Sequence, residues 1–400
     1  MSKRFPGGIL SSGFNPLQAP NAPTNITATG GDQSASVSFT APSNVGGSAI
    51  TGYTGRSNPG NIAATGSASP LTFSGLTNGT SYTFQVWALN SYGPSPAAGP
   101  SGSVTPALPI RGLIAGVLQP SPANTIDYIT LTTTGNATNF GALTSSRGTV
   151  GACASSSRAL FGGGYNYSAN SIAIDYVTIA TTGDAISFGQ LTAARGSLCA
   201  TNSPTRGLFI GGYFNSTSKA TNIIDYVTIA TTGNAIDFGD TPVIASNPSA
   251  TSSPTRAVLG MAWTGFAYVG LSYVTIATTG NAIDFGSPST SRQWGAACGS
   301  STRGIFAGGL TGSEQIVIDY VTISTTGNAT YFGNLTVARY GLAGCSSTTL
   351  ATFSGGRSTS NTNVIDYVTI ATTGDALDFG DLTSAGYGFA GTSNANGGLA

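Results

Sequence analysis

The side chains that usually move protons or hold metals are scarce in this sequence. It has no His, one Glu (Glu314) and two Lys (Lys3 and Lys219) among its 400 residues. The clearest acid–base candidates are two carboxylate pairs, Asp237-Phe-Gly-Asp240 and Asp378-Phe-Gly-Asp381, in which one acid could donate a proton and the other accept one. Both pairs fall in a repeated strand–turn element, where solvated turn residues are the simpler reading. Cys153, Cys199, Cys298 and Cys345 are too far apart in sequence for a local metal cluster, and read as buried, reduced, structural thiols. No catalytic residue, metal ligand or cofactor is therefore expected, and the chain is not expected to be an enzyme.

A different chemistry remains, that of aromatic faces beside hydroxyls and carboxamides. Tyr165, Tyr167, Tyr213, Phe214, Trp263, Phe266 and Tyr268 lie in variable loops among Asn, Ser and Thr, with Trp294 further on. Such groups suit sugars, which offer apolar ring faces for stacking and hydroxyls for hydrogen bonds. The alternative is that these rings fill gaps in an irregular repeat or pack against a neighbouring domain. Charge points the same way. Fourteen basic and 14 acidic groups cancel, and only 7% of positions are charged, against about a quarter in an average soluble domain. Without Lys/Arg clusters there is no electrostatic footprint for nucleic acid or an anionic membrane.

The elements that must hold these loops follow from composition and from repetition. Fifty-seven Gly and 19 Pro disfavour long helices and favour turns, so the class is all-β. After residue 110 one unit occurs six times. Its anchors are Tyr128, Tyr176, Tyr226, Tyr273, Tyr320 and Tyr367, spaced by 48, 50, 47, 47 and 47 residues. Asp precedes five of them (Asp127, Asp175, Asp225, Asp319, Asp366), and Ser272 replaces it in the fourth. Phe-Gly follows twelve residues after every Tyr, from Phe140 to Phe379. The cysteines lie 25, 23, 25 and 25 residues after theirs, in a fourth strand. Each unit reads as four short strands: an apolar one ending in Gly-Gly, the Ile-Asp-Tyr-Val-Thr-Ile strand, the Ile-Asp-Phe-Gly strand, and one typified by Arg195-Gly-Ser-Leu-Cys-Ala. Thr-Thr-Gly-Asn/Asp between the second and third is expected to form a tight hairpin turn with positive φ. The Asp before Tyr reads as a link between neighbouring units, with a central cation held by a ring of such groups as the alternative. Four strands in about 47 residues, six times over, imply a six-bladed β-propeller over 107–400.

Gly-Gly-Tyr after Phe209-Ile, then Ile224-Asp-Tyr and Ile236-Asp-Phe, resembles a kelch repeat, as does the basic residue 19 positions after the Tyr (Arg147, Arg195, Arg292, Arg339). Phe stands where that family usually has Trp, and the third and sixth units lack the basic residue. Residues 20–106 resemble a fibronectin type III domain, an immunoglobulin-like sandwich, through Ala22-Pro23, Val37-Ser-Phe39, Ile50-Thr-Gly-Tyr53 and Leu76-Thr-Asn-Gly-Thr-Ser-Tyr82. The last of these has the spacing of a tyrosine corner, whose hydroxyl bonds nearby backbone.

Residues 1–19 read as an anchor peptide and linker, with Lys3, Arg4, Phe5 and Pro6 docking into a partner, or else as a disordered tail. Pro6, Gly7 and Gly8 interrupt what a secretory signal would need, and the uncharged run 257–279 is broken by glycines, so neither secretion by that route nor membrane insertion is expected. The whole order resembles a bacteriophage virion protein, a tail or head fibre. That resemblance implies assembly in the host cytoplasm, homo-oligomers within the particle, attachment to other virion proteins through the N-terminus, and host cell-surface polysaccharide bound by the propeller. A purely structural decoration or fibre component is one alternative. A secreted bacterial adhesin or polysaccharide-acting enzyme is another.

Overall fold

A computed structural model describes residues 17–217 and 219–398. It is all-β apart from one short 3-10 turn at Asn396–Gly398, and divides into two compact units, through Pro109 and from Ile110.

The first unit is a sandwich. Strands β1 (Thr24–Gly31), β2 (Ser34–Thr40), β3 (Gly52–Asn58), β4 (Ala63–Gly66), β5 (Leu71–Ser74), β6 (Thr83–Asn90) and β7 (Gly93–Pro94) form two antiparallel sheets, ordered β1-β2-β5 and β4-β3-β6-β7. Alternation along β2, β5 and β6 sends Val37, Phe73, Phe84 and Val86 into the space between them. Phe39 packs on Tyr53 with ring centroids 4.7 Å apart. The Thr77 backbone N–H donates to the Tyr82 hydroxyl at 3.0 Å, the bond that the Leu76–Tyr82 spacing predicts.

The second unit holds six small antiparallel sheets. The first contains β8 (Arg111–Ala115), β9 (Thr125–Thr130) and β10 (Thr138–Ala142). The second is β11 (Gly151–Ala154), β12 (Arg158–Gly162), β13 (Ala173–Thr178) and β14 (Ile186–Gln190), and the third β15 (Cys199–Asn202), β16 (Arg206–Ile210), β17 (Tyr213–Phe214), β18 (Lys219–Thr228) and β19 (Ile236–Ala245). The fourth is β20 (Ser249–Ser252), β21 (Arg256–Gly260), β22 (Leu271–Thr275) and β23 (Ile283–Gly286). The fifth is β24 (Ala296–Gly299), β25 (Arg303–Ala307), β26 (Val317–Thr322) and β27 (Thr330–Asn334), and the sixth β28 (Ala343–Ser346), β29 (Leu350–Ser354), β30 (Thr362–Thr369) and β31 (Leu377–Gly386). Finally β32 (Ala390–Ser393) pairs with β8, so the last strand of the chain completes the first sheet.

This pairing corrects the grouping expected from the repeat. The strand after Phe-Gly does not join its own unit's sheet but opens the next one, as β11 does on β12 and β15 on β16. Those first strands lie side by side in the order β11, β15, β20, β24, β28, β32, and β32 lies beside β11. Hydrophobic layers fill the spaces between successive sheets. One joins Phe140 to Phe161 and Val177, and another joins Phe379 and Ile365 of the sixth sheet to Ile114 and Ile129 of the first.

The repeated glycine after Phe is demanded by the next sheet. A Cβ at Gly189 would fall on the backbone carbonyl of Gly233, and the equivalent clash recurs from Gly141 to Gly380. The Thr-Thr-Gly-Asn/Asp segment joins two antiparallel strands, as expected, but its Asn and Asp residues do not take positive φ, and Gly135, Gly280 and Gly327, at 157° to 159°, are close to extended. Instead the Gly N–H donates to the preceding sheet's Phe carbonyl (Gly183 N to Phe140 O, 2.8 Å), and the Asn or Asp side chain accepts an N–H from the same outer strand (Ala142 N to Asp184 Oδ1, 3.0 Å). The motif is a fastener between sheets.

Candidate functional site

Most of the second unit's charge is spent on the scaffold. Arg147, Arg195, Arg292 and Arg339 are buried and pair with Asp175, Asp225, Asp319 and Asp366 of the following sheet at 2.8 to 2.9 Å. Each guanidinium also bonds main-chain carbonyls, and Asp175, Asp225 and Asp366 each accept both the N–H and the hydroxyl of a Thr (144, 192 and 336). Burial lowers the pKa of Arg195, Arg292 and Arg339, and the facing Asp opposes that effect. These links explain the departures noted in the repeat. The third unit lacks its Arg (Ala245) and the fourth its Asp (Ser272), so both members of one link are absent together. The sixth unit has Gly386 in place of Arg, and its partner in the first sheet, Asp127, is 6% exposed and among the described residues is bonded by Thr383 alone. Burial raises the Asp127 pKa, with the Thr383 hydrogen bonds opposing the shift.

A second set, Arg111, Arg158, Arg206, Arg256 and Arg303, lies over the anchor Tyr rings at 4.3 to 4.9 Å. Each donates to two consecutive carbonyls of the next sheet, as Arg111 does to Ile179 and Ala180. Asp237 and Asp378 stand exposed on the outer strands β19 and β31. Cys153, Cys298 and Cys345 are buried and Cys199 partly so; burial pushes the Cys345 thiol up to about 12 and raises the other three. Among the described residues no three His, Cys, Asp or Glu side chains gather where a metal could sit.

The six first strands surround a narrow cavity of about 80 Å³ lined mostly by Gly and Ala, with Val150, Leu198, Leu342 and Phe389 among the larger residues. One end is covered by the C-terminal turn, where the Ser346 hydroxyl donates to Asn396 Oδ1 at 2.8 Å and Gly397 lies against Ser252. At the other end six residues share a left-handed backbone: Thr149, Ser197, Asn247, Trp294, Gly341 and Gly388, with φ from 54° to 81°. Each donates its N–H to the carbonyl of the one before. Ser197 bonds Thr149, Asn247 bonds Ser197, Trp294 bonds Asn247, Gly341 bonds Trp294, Gly388 bonds Gly341 and Thr149 bonds Gly388, all within 2.7 to 3.3 Å. These residues line a mouth of about 50 Å³. Positive φ is uncommon for non-glycine residues, above all for one as bulky as Trp294, and the hydrogen-bonded ring holds it there.

Around this ring lie the loop residues that follow Gly-Gly in four repeats, Tyr165, Tyr213, Leu310 and Arg357, and their counterparts Gln119 and Trp263; Gln119, Tyr165, Tyr213, Trp263, Leu310 and Arg357 are bridged respectively to Tyr387, Gly148, Gly196, Ser246, Gln293 and Tyr340. The expected aromatics therefore share one end of the unit, but in separate groups. Tyr165 and Tyr167 meet at 6.0 Å, and Trp263 and Tyr268 at 4.7 Å. Tyr213 and Phe214 form β17, and Phe266 projects from a loop tip, 95% exposed. Trp294 joins two rings not singled out from the sequence, Tyr340 at 6.4 Å and Tyr387 at 6.1 Å, which are 5.5 Å from each other. The Arg357 guanidinium lies 5.8 Å from the Tyr387 ring and donates to Gln119 Oε1 at 3.3 Å. Burial raises the Tyr387 pKa, aided by the neighbouring Tyr340 and Tyr167 hydroxyls and opposed by Arg357. A signal for Tyr340 and Tyr387 was present: they occupy the position, 20 residues after the anchor, that is Gly148 and Gly196 in the first two units. Lys3, Arg4, Phe5 and Pro6 lie outside the described residues.

With this geometry in hand, comparison with known families defines the first unit. Residues 21–102 match the fibronectin type III domain, and this part of the chain is a domain of that family. No curated protein matches the sequence.

Proposed function

We propose that the second unit is a six-bladed propeller of kelch-like repeats serving as a non-catalytic carbohydrate-binding platform on a bacteriophage particle. The propeller reading is supported by the cyclic order of the first strands, by hydrophobic layers between all successive sheets, and by β32 completing the sheet of β8. In this reading the fibronectin type III domain is a spacer, residues 1–19 attach to other virion proteins, and many copies give avidity to weak contacts.

The carrying observation for binding is the gathering of Trp294, Tyr340 and Tyr387 at the end of the central cavity opposite the Asn396–Gly398 turn, amid Asn247, Gln293 and Gln119. Stacking faces and neutral hydrogen-bonding groups are what a saccharide ring requires. The Asp–Arg pairs, by contrast, are tied into the scaffold, which supports a binding rather than a hydrolytic role. The test is a glycan array probed with the full chain displayed on beads, beside a Trp294→Ala/Tyr340→Ala variant. Binding that the variant loses is the expected result. No binding by the multivalent wild type at any glycan would overturn the carbohydrate reading and leave a structural component of the particle.

A further inference from the structure

We infer that the mouth selects an acidic saccharide, with Arg357 taking a sugar carboxylate while the Trp294, Tyr340 and Tyr387 rings take its apolar face. This rests on the carbohydrate reading above and names the ligand class for it. It also departs from the neutral partner that the overall charge balance suggests.

The second unit contains ten Arg. Four are held by buried Asp partners and five by paired main-chain carbonyls of the next sheet. Arg357 is the tenth and does neither. It occupies the loop position that is Gln119, Tyr165, Tyr213, Trp263 and Leu310 in the other repeats, so a cation stands there in one copy of six, and no Asp is introduced to match it. Its guanidinium makes a long bond to Gln119 Oε1 and meets the face and hydroxyl of Tyr387. A guanidinium offers five N–H donors in a planar fork that fits the two oxygens of a carboxylate, and these contacts leave donors for one. Among the described residues Arg357 takes part in no ion pair.

Placement favours a sugar acid over a free anion. Trp294, Tyr340 and Tyr387 form one cluster of rings at the mouth, with Arg357 beside Tyr387. A pyranose carboxylate sits at the ring edge, so a ring stacked on this cluster can bring its carboxylate to the guanidinium. One charge-assisted contact at a partly exposed site is worth roughly tenfold in affinity, and salt screens it.

The experiment measures binding of the full chain to polygalacturonate, polymannuronate and polysialate, each beside its carboxyl-reduced form, by calorimetry at low and high salt. The expected result is at least one acidic polymer bound about tenfold more tightly than its reduced form, with the ratio falling toward one in Arg357→Gln and largely kept in Arg357→Lys. Tyr340→Ala should weaken both members of the pair. Equal binding of acidic and reduced forms, or a preference that survives Arg357→Gln, overturns the inference and leaves the carbohydrate reading standing. Binding to none of the six polymers also overturns it, and the carbohydrate reading is then judged by the array alone.

Discussion

The four buried Arg–Asp links can be tested as single energetic units, because the chain carries its own partial cycle. Four seams have both partners, one has neither (Ala245 with Ser272), and one keeps the acid alone (Asp127 opposite Gly386). Consider Arg195→Ala, Asp225→Ser and the double variant. In the wild type both side chains are 0% exposed and 2.9 Å apart; Asp225 also accepts the N–H and hydroxyl of Thr192, and Arg195 bonds the Phe209 carbonyl. Removing Arg195 strands a buried carboxylate, and removing Asp225 strands a buried guanidinium together with the Thr192 donors. Each single change should cost about 3–5 kcal/mol, the usual result of breaking a buried pair from one side. The double variant reproduces the seam between the third and fourth sheets, so it should cost clearly less than the sum, with a coupling of about 2 kcal/mol or more. Urea unfolding followed by circular dichroism, with an unchanged slope, measures all three. Single variants that cost under about 1 kcal/mol, or costs that simply add, would refute the view that these charges act as linked pairs.

Asp127→Asn should hold or raise stability at neutral pH, because it removes an uncompensated buried carboxylate while Asn can still accept from Thr383. A folded-state pKa raised by burial means that the wild type gains stability as pH falls through that value and loses it as pH rises; melting temperatures from pH 7 to 4 should show this slope in the wild type and not in the variant, and a neutral-pH loss above about 2 kcal/mol would count against the reasoning. Gly189→Ala should cost about 1–3 kcal/mol or more by driving a Cβ into the Gly233 carbonyl, whereas Gly183→Ala, with nothing within 4 Å, should stay within about 0.5 kcal/mol of the wild type in the same unfolding assay. Tyr82→Phe should destabilise the first unit by about 1 kcal/mol through loss of the Thr77 bond, read as its calorimetric transition.

Much of this architecture is legible in residue spacing, and the illegible parts share a cause. Tyr, Phe-Gly and the β-branched run between them mark strands because a strand's own pattern is local. Which sheet a strand joins is not marked that way: the Cys153 strand follows Phe140 within its repeat, yet it pairs with β12, 5 to 11 residues further on, and the repeat pattern alone does not say on which side of that strand the sheet is divided. The Arg–Asp links lie between those extremes. Their partners are 27 to 30 residues apart, but the joint absence of Arg and Asp at Ala245 and Ser272 is a trace of contact written in one sequence. At the mouth, attention to the variable loops found Trp263 and Tyr165 and missed Tyr340, Tyr387 and Arg357, because comparing whole loops hides an exchange of Gly for Tyr at one repeated position.

The ring of six left-handed residues is closed by main-chain hydrogen bonds at every step, with the Thr149 hydroxyl as one added acceptor, and Thr, Ser, Asn, Trp and Gly all serve in it. The bonds that close the ring thus leave most of its side chains uncommitted. A mouth built this way can exchange its side chains one at a time while the bonds that link the six sheets stay as they are.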